Sequence, residues 1–236
     1  MEIIKRTIKL SIFLVVLFAG IIWFAQPANA LWVYEQKFNT LNDGDLNGQD
    51  SWSGSVNFDV TTDDNYDSGG SKCVKIASAP SNDKIGRSVT KCDSDGSELY
   101  IAMKSAVTTN ISGVDLGTAT KVAALRIQFS SDGHIYFSGN DWGTYSANKW
   151  YVVKITFDFT NNRYDANVYE EGTGWGTPLT NLTPDQPIGT GITRMFLGPA
   201  YTIVDTFYYD TITPTDPTPP PVAEEYEGII DVPAIW

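Results

Sequence analysis

The chain has 236 residues, a formal net charge of -12, 42% hydrophobic and 13% aromatic residues, and 20 glycines. That length and apolar share support one sizeable core, and the aromatic and glycine content favours β structure over a helical bundle. The acidic balance repels phosphate backbones and anionic lipid, which argues against nucleic-acid and peripheral-membrane partners.

Residues 1–30 read as an export signal. Lys5, Arg6 and Lys9 make a positive start, Leu10 to Ala25 is an apolar run broken by Ser11 and Gly20, and Ala28-Asn29-Ala30 is an A-x-A cleavage site. An apolar run of about 16 residues is short for a membrane span, which needs roughly 20. Cleavage after Ala30 is therefore expected, leaving no span and placing the mature chain outside the cell or at its surface. In an exported domain an even cysteine count reads as a disulfide, so Cys73 and Cys92 are expected to pair. Such a bridge, closing a loop of about 20 residues, is worth roughly 3 kcal/mol in the loop-entropy model. His134 is the only histidine, which leaves neither cysteine a partner for a metal site or a thiol nucleophile.

Beyond the leader, strand-like runs follow one another without an amphipathic helix. They are Trp32–Phe38, Val56–Thr61, Ser71–Ala77, Ile85–Lys91, Glu98–Ala106, Lys121–Ser130, His134–Ser138, Trp150–Phe159, Arg163–Tyr169, Thr193–Leu197 and Asp205–Ile212. Asn42-Asp43-Gly44, Ser68-Gly69-Gly70, Asp95-Gly96, Asp132-Gly133 and Asn161-Asn162 punctuate them with residues that tolerate positive φ. The clearest pair is a hairpin. Tyr151, Val153, Ile155 and Phe157 alternate with Val152, Lys154, Thr156 and Asp158; a Thr160–Arg163 turn follows; then Tyr164, Ala166 and Val168 interleave with Asp165, Asn167 and Tyr169. About eleven short strands predict an all-β, two-sheet antiparallel sandwich, with a jelly roll fitting better than a minimal immunoglobulin domain. One domain, residues 31–214, is expected.

Three segments carry a resemblance. YEQKFNTLNDGDLNGQDSWSG opens with an aromatic strand, a Gly-Asp-Leu-Asn-Gly-Gln loop and Trp52. LRIQFSSDGHIYFSGNDWGTYSANKWYVVKITFDFTNNRYDANVY holds a strand, an Asp-Gly turn, a second strand and a Lys-Trp-Tyr lead-in to the long hairpin. The third segment, Val204–Asp210, closes the domain. In this order the segments resemble the concanavalin A-like (LamG-type) jelly-roll domains of exported microbial proteins, over nearly all of residues 31–214. The resemblance implies a last strand returning beside the first and a packing role for Trp52; strand register and the high average burial of tryptophan make Trp150 a core residue as well.

It also implies what to look for chemically. Some jelly-roll modules similar to this one hold a structural calcium ion with acidic groups near the first and last strands; Glu35, Asp43, Asp45, Asp205 and Asp210 supply hard oxygen ligands for it, or serve as turn formers and amide partners. No other cofactor is expected. Glucanases of this fold write their carboxylates as Glu-x-Asp-x-Glu or Glu-x-Asp-x-x-Glu, and neither spacing occurs here. Lyases of this architecture use Tyr, His, Arg and Gln on neighbouring strands. Gln128, His134 and Tyr136 approach that pattern, although His134, just after Asp132-Gly133, reads as a turn or edge residue. Binding is better motivated, because sugars expose apolar C–H faces to aromatic rings and hydroxyls to Asn and Asp. Asn140, Asp141, Trp142 and Tyr145 in one loop and Trp175 in another have that composition. The expectation is a non-catalytic module binding a glycan or cell-surface ligand, with two alternatives: a polysaccharide lyase or glycoside hydrolase of the same fold, or a structural, adhesive surface protein.

After the sandwich, 215–221 is a Pro/Thr-rich linker and 222–236 an acidic tail with aromatic residues. The tail offers a route to self-association by adding to a neighbour's sheet edge.

Overall fold

The computed structural model describes residues 32–66, 70, 72–120, 122–199, 201–203 and 205–217. The leader 1–30, the tail 222–236 and linker residues 218–221 lie outside the described residues. In chain order the strands are β1 (Gly44–Asp45), β2 (Ser53–Gly54), β3 (Asp59–Thr61), β4 (Cys73–Ile76), β5 (Ile85–Cys92), β6 (Glu98–Ser105), β7 (Ser112–Gly117), β8 (Leu125–Phe129), β9 (His134–Phe137), β10 (Asn140–Thr144), β11 (Trp150–Asp158), β12 (Arg163–Glu170), β13 (Gly174–Trp175), β14 (Leu179–Leu182), β15 (Ile192–Pro199) and β16 (Phe207–Thr213).

They form two antiparallel sheets packed face to face. One has nine strands, in the order β1-β3-β4-β16-β6-β11-β12-β13 with β14 also on β12; the other has seven, β10-β9-β8-β7-β15-β5-β2. The period-two pattern of the long hairpin decides its orientation. Tyr151, Val153, Ile155 and Phe157 on β11, with Tyr164, Ala166 and Val168 on β12, point into the core between the sheets. Pairing runs from Tyr151↔Glu170 to Asp158↔Arg163. The turn forms as its residues require: Asn162 adopts φ 55°, and the Asp158 carboxylate accepts the Asn161 amide at 2.9 Å. From the opposite sheet, Val114, Leu116, Ile127, Phe129, Ile135, Phe137, Met195 and Leu197 complete the core.

Several elements differ from the sequence reading. Trp32, Tyr34, Gln36 and Phe38 are buried while Val33, Glu35 and Lys37 are exposed, as a strand would have it. Yet the segment makes only the Gln36↔Ile212 bridge. It is tied to the other sheet by side chains instead: Trp32 Nε1 donates to Thr90 O at 2.6 Å and Arg87 to Gln36 Oε1 at 2.7 Å. β7 has no counterpart among the expected strands, although it is wholly buried between β8 and β15. Its Gly113 is a packing requirement, because a Cβ there would lie 1.9 Å from Ile127 O. β10, expected as a loop, is an edge strand with a register shift between Asp141 and Gly143. Its exposed, polar composition suits an edge and hides it from a search for apolar alternation.

The expected disulfide does not form. Cys73, at the start of β4, packs on the outer side of the nine-stranded sheet with Tyr100, Ala102, Trp150 and Val152, whereas Cys92, ending β5, sits in the core between the sheets. The two thiols therefore occupy different layers of the sandwich, and both are free and buried. Burial pushes each thiol up to about 12.

Candidate functional site

The outward face of the seven-stranded sheet gathers polar side chains. Because Ile127, Phe129, Ile135 and Phe137 point inward, the alternate positions Arg126, Gln128, His134 and Tyr136 point outward side by side on β8 and β9. A cavity of about 440 Å³ opens there, lined by Arg126, Gln128, Ser130, Asp132, Tyr136, Ser138, Gly139 and Asp185.

Its walls are held in place from behind. The Arg126 Nε donates to Asp115 Oδ1 at 2.9 Å, and Lys84 closes on the other oxygen of the same carboxylate. Asp115, on β7, is only 5% exposed; two cations satisfy a charge that would be costly to bury alone. At the other wall, the Asp132-Gly133 turn places the Asp132 carboxylate where it accepts the Tyr136 hydroxyl at 2.8 Å and the His134 amide at 3.2 Å. The Tyr136 bond holds Asp132 below its ordinary carboxylate range, and conversely raises the Tyr136 phenol. His134 Nδ1 meets both oxygens of Asp141 across the β9–β10 pair, at 2.9 and 3.0 Å. That contact raises the imidazole above its usual value. The His134 and Tyr136 rings lie 6.1 Å apart and nearly parallel. By contrast, the Gln128 side-chain amide has no hydrogen-bond partner among the described residues, which leaves it open to the cavity.

The five residues expected to bind ligand do not converge. Asp141 is committed to His134 on this face. Asn140 donates to Phe137 O at 2.9 Å and shapes the β9–β10 turn. Tyr145 is a core residue, 5% exposed, packed 4.7 Å from Phe129, with its hydroxyl 3.2 Å from Ser130 O; its place in an aromatic, Asn- and Asp-bearing loop is what made it look like a binding residue. Trp142 is half-buried against the core. Its indole donates to Thr177 O at 3.2 Å, and a Cβ on Gly176 would meet its ring at 2.4 Å. Trp175 lies on the other sheet altogether. Arg126, Asp115 and Lys84 were not foreseen, since they come from three separate segments.

The five acidic residues considered for calcium are likewise dispersed. Asp43 pairs with Lys72 at 3.0 Å, Glu35 with Lys37 at 3.4 Å, Asp45 accepts the Asn47 amide, and Asp205 the Thr206 amide. Asp210 is 1% exposed and accepts the Tyr66 and Thr211 amides. Among the described residues no three Asp, Glu, His or Cys side chains are grouped to hold a metal ion.

The two packed antiparallel sheets define a concanavalin A-like jelly roll. No protein-family model and no curated protein matches the sequence. Among solved structures, the chain is similar to the catalytic domain of a glycoside hydrolase family 131 protein from Coprinopsis cinerea, with a TM-score of 0.53 and 9% identity over 80% of this chain and 96% of that one. It is also similar to a sialidase, with a TM-score of 0.51 and 14% identity over 79% of this chain. The match spans 18% of the sialidase's length. Likeness at such identity concerns the fold.

Proposed function

We propose that this domain binds a neutral carbohydrate on the outward face of its seven-stranded sheet, without breaking bonds. The observation that carries the reading is the cavity of about 440 Å³, whose polar groups are fixed before any ligand arrives. Arg126 is braced by Asp115 and Tyr136 by Asp132, so little ordering cost falls on binding. Guanidinium and amide N–H groups donate to sugar hydroxyls, and the carboxylates of Asp132 and Asp185 accept from them. The acidic balance of the chain disfavours a polyanion. The fold shared with carbohydrate-active proteins supports the same class of ligand. Export through the leader 1–30 belongs to this reading. The test is a glycan array probed with the mature chain, followed by incubation with the best ligand. Binding with no release of reducing ends or unsaturated products supports a binder.

One arrangement favours a second reading, a polysaccharide lyase. His134, held by Asp141, and Tyr136 stand next to Gln128 and Arg126 on one hairpin, which puts a base, an acid and groups able to neutralise a uronate carboxylate within one surface. Unsaturated product that disappears in a His134→Ala variant would establish it in place of the first.

A further inference from the structure

We propose a second glycan-binding face on the opposite side of the sandwich, running along the outward surface of β12 from Arg163 to Trp175. It presupposes that the domain is a carbohydrate binder and adds a surface independent of the first.

The pleat supplies the row. With Tyr164, Ala166 and Val168 in the core, Arg163, Asp165, Asn167 and Tyr169 face outward, spanning about 20 Å at roughly 3.4 Å per residue. Neighbouring strands extend each position sideways: Thr156 lies opposite Asp165 and Lys154 opposite Asn167, Tyr100 opposite Lys154, and Trp175 opposite Tyr169.

The two ends have different chemistry. At the first, a cavity of about 410 Å³ is lined by Asp95, Asp158, Arg163, Asp165 and Asn181, among others. Its three carboxylates are pinned by the Thr160, Asn161 and Asn181 amides, at 3.0, 2.9 and 2.7 Å. The Arg163 guanidinium has neither a hydrogen bond nor an ion pair among the described residues, despite those carboxylates. Fixed acceptors around an uncommitted donor suit the hydroxyls and ring oxygen of a sugar. At the other end Trp175 is 37% exposed. Tyr169 and Tyr100 meet it edge to face, with centroids 5.7 and 6.2 Å away, so the indole is held on a tyrosine base. An aromatic ring fixed in that way offers a surface for the C–H face of a pyranose. Between the ends, Lys154 stands over Tyr100 and pairs with Glu98 at 2.7 Å. A polar subsite, a polar floor and an aromatic platform in line fit an extended chain of neutral sugars several units long.

The experiment is affinity electrophoresis of the full chain through gels containing laminarin, hydroxyethyl cellulose, xylan or galactomannan. Trp175→Ala and Arg163→Ala should each weaken retardation by the binding polysaccharide about 3–10-fold. The melting curve should stay unchanged in Arg163→Ala and fall only slightly in Trp175→Ala, which gives up its ring contacts with Tyr100 and Tyr169, and the same loss of retardation should appear in a Gln128→Ala/Tyr136→Phe background. Full retardation of both single variants, with loss confined to Gln128→Ala/Tyr136→Phe, overturns the second face and leaves the first. The converse pattern supports the second face and removes the first, and a wild-type chain retarded in none of the gels overturns both.

Discussion

His134 Nδ1 lies 2.9 Å from Asp141 Oδ1, joining β9 to the edge strand β10 on the polar face of the seven-stranded sheet. Asp141 favours the charged imidazole and raises its pKa. Since His134 is the only histidine, its ring proton resonances will titrate without overlap. The midpoint is expected above the ordinary value of about 6.5, and Asp141→Asn should bring it down. The sign for stability follows: a folded-state value above the unfolded one gives a contribution fully present below the unfolded pKa and lost as pH rises through the folded one. A midpoint unchanged by Asp141→Asn contradicts the contact.

Gly113→Ala should destabilise the fold sharply. The added methyl would stand 1.9 Å from Ile127 O, in the centre of the sheet where β7 and β8 pair, so the strands must separate. Overpacking of this kind costs about 2–3 kcal/mol, a fall in Tm of roughly 5–10 °C for a domain of this size. A thermal melt checks it.

Asp115→Ala should loosen the candidate site and the fold together. It leaves Lys84 and Arg126 facing each other without their shared carboxylate. Their side chains are 21% and 40% exposed, so water relieves part of the repulsion and the loss is nearer about 1–3 kcal/mol than the larger cost of breaking a fully buried pair. Denaturant unfolding measures it.

The cysteines should behave as two shielded thiols. Without reductant, the native protein should resist alkylation at neutral pH because burial keeps both thiols protonated, and both should react once it is unfolded. Protection that persists in denaturant until a reductant is added contradicts the free thiols.

The fold was readable wherever one residue type had to alternate with another. β11 and β12 have unlike faces and so show period two, and their inward residues are the ones the core uses. β7 was not readable, because Gly113 gives up a side chain for close strand approach, Gly117 carries none, and only Val114 and Leu116 are left as apolar signal. An even cysteine count behind an export signal made Cys73 and Cys92 look like partners, but consecutive strands in a jelly roll can belong to opposite sheets, as β4 and β5 do. For the site, Gln128, His134 and Tyr136 could be placed on one hairpin from local pattern alone. The brace behind them, Lys84 with Asp115 and Arg126, depends on long-range pairing that no short window contains. Trp142 and Trp175 had similar glycine-rich surroundings in sequence. Only the folded chain separates a tryptophan packed onto Gly176 from one presented on the far sheet.

The central claim is that the cavity on the seven-stranded sheet holds sugar. Titration calorimetry of wild type and Gln128→Ala/Tyr136→Phe, with the oligosaccharide ranked first on a glycan array, tests it most directly. Losing an amide and a hydroxyl from the cavity wall should raise Kd about tenfold or more while the melting curve moves little. An unchanged Kd in the double variant would contradict the assignment of sugar binding to this face.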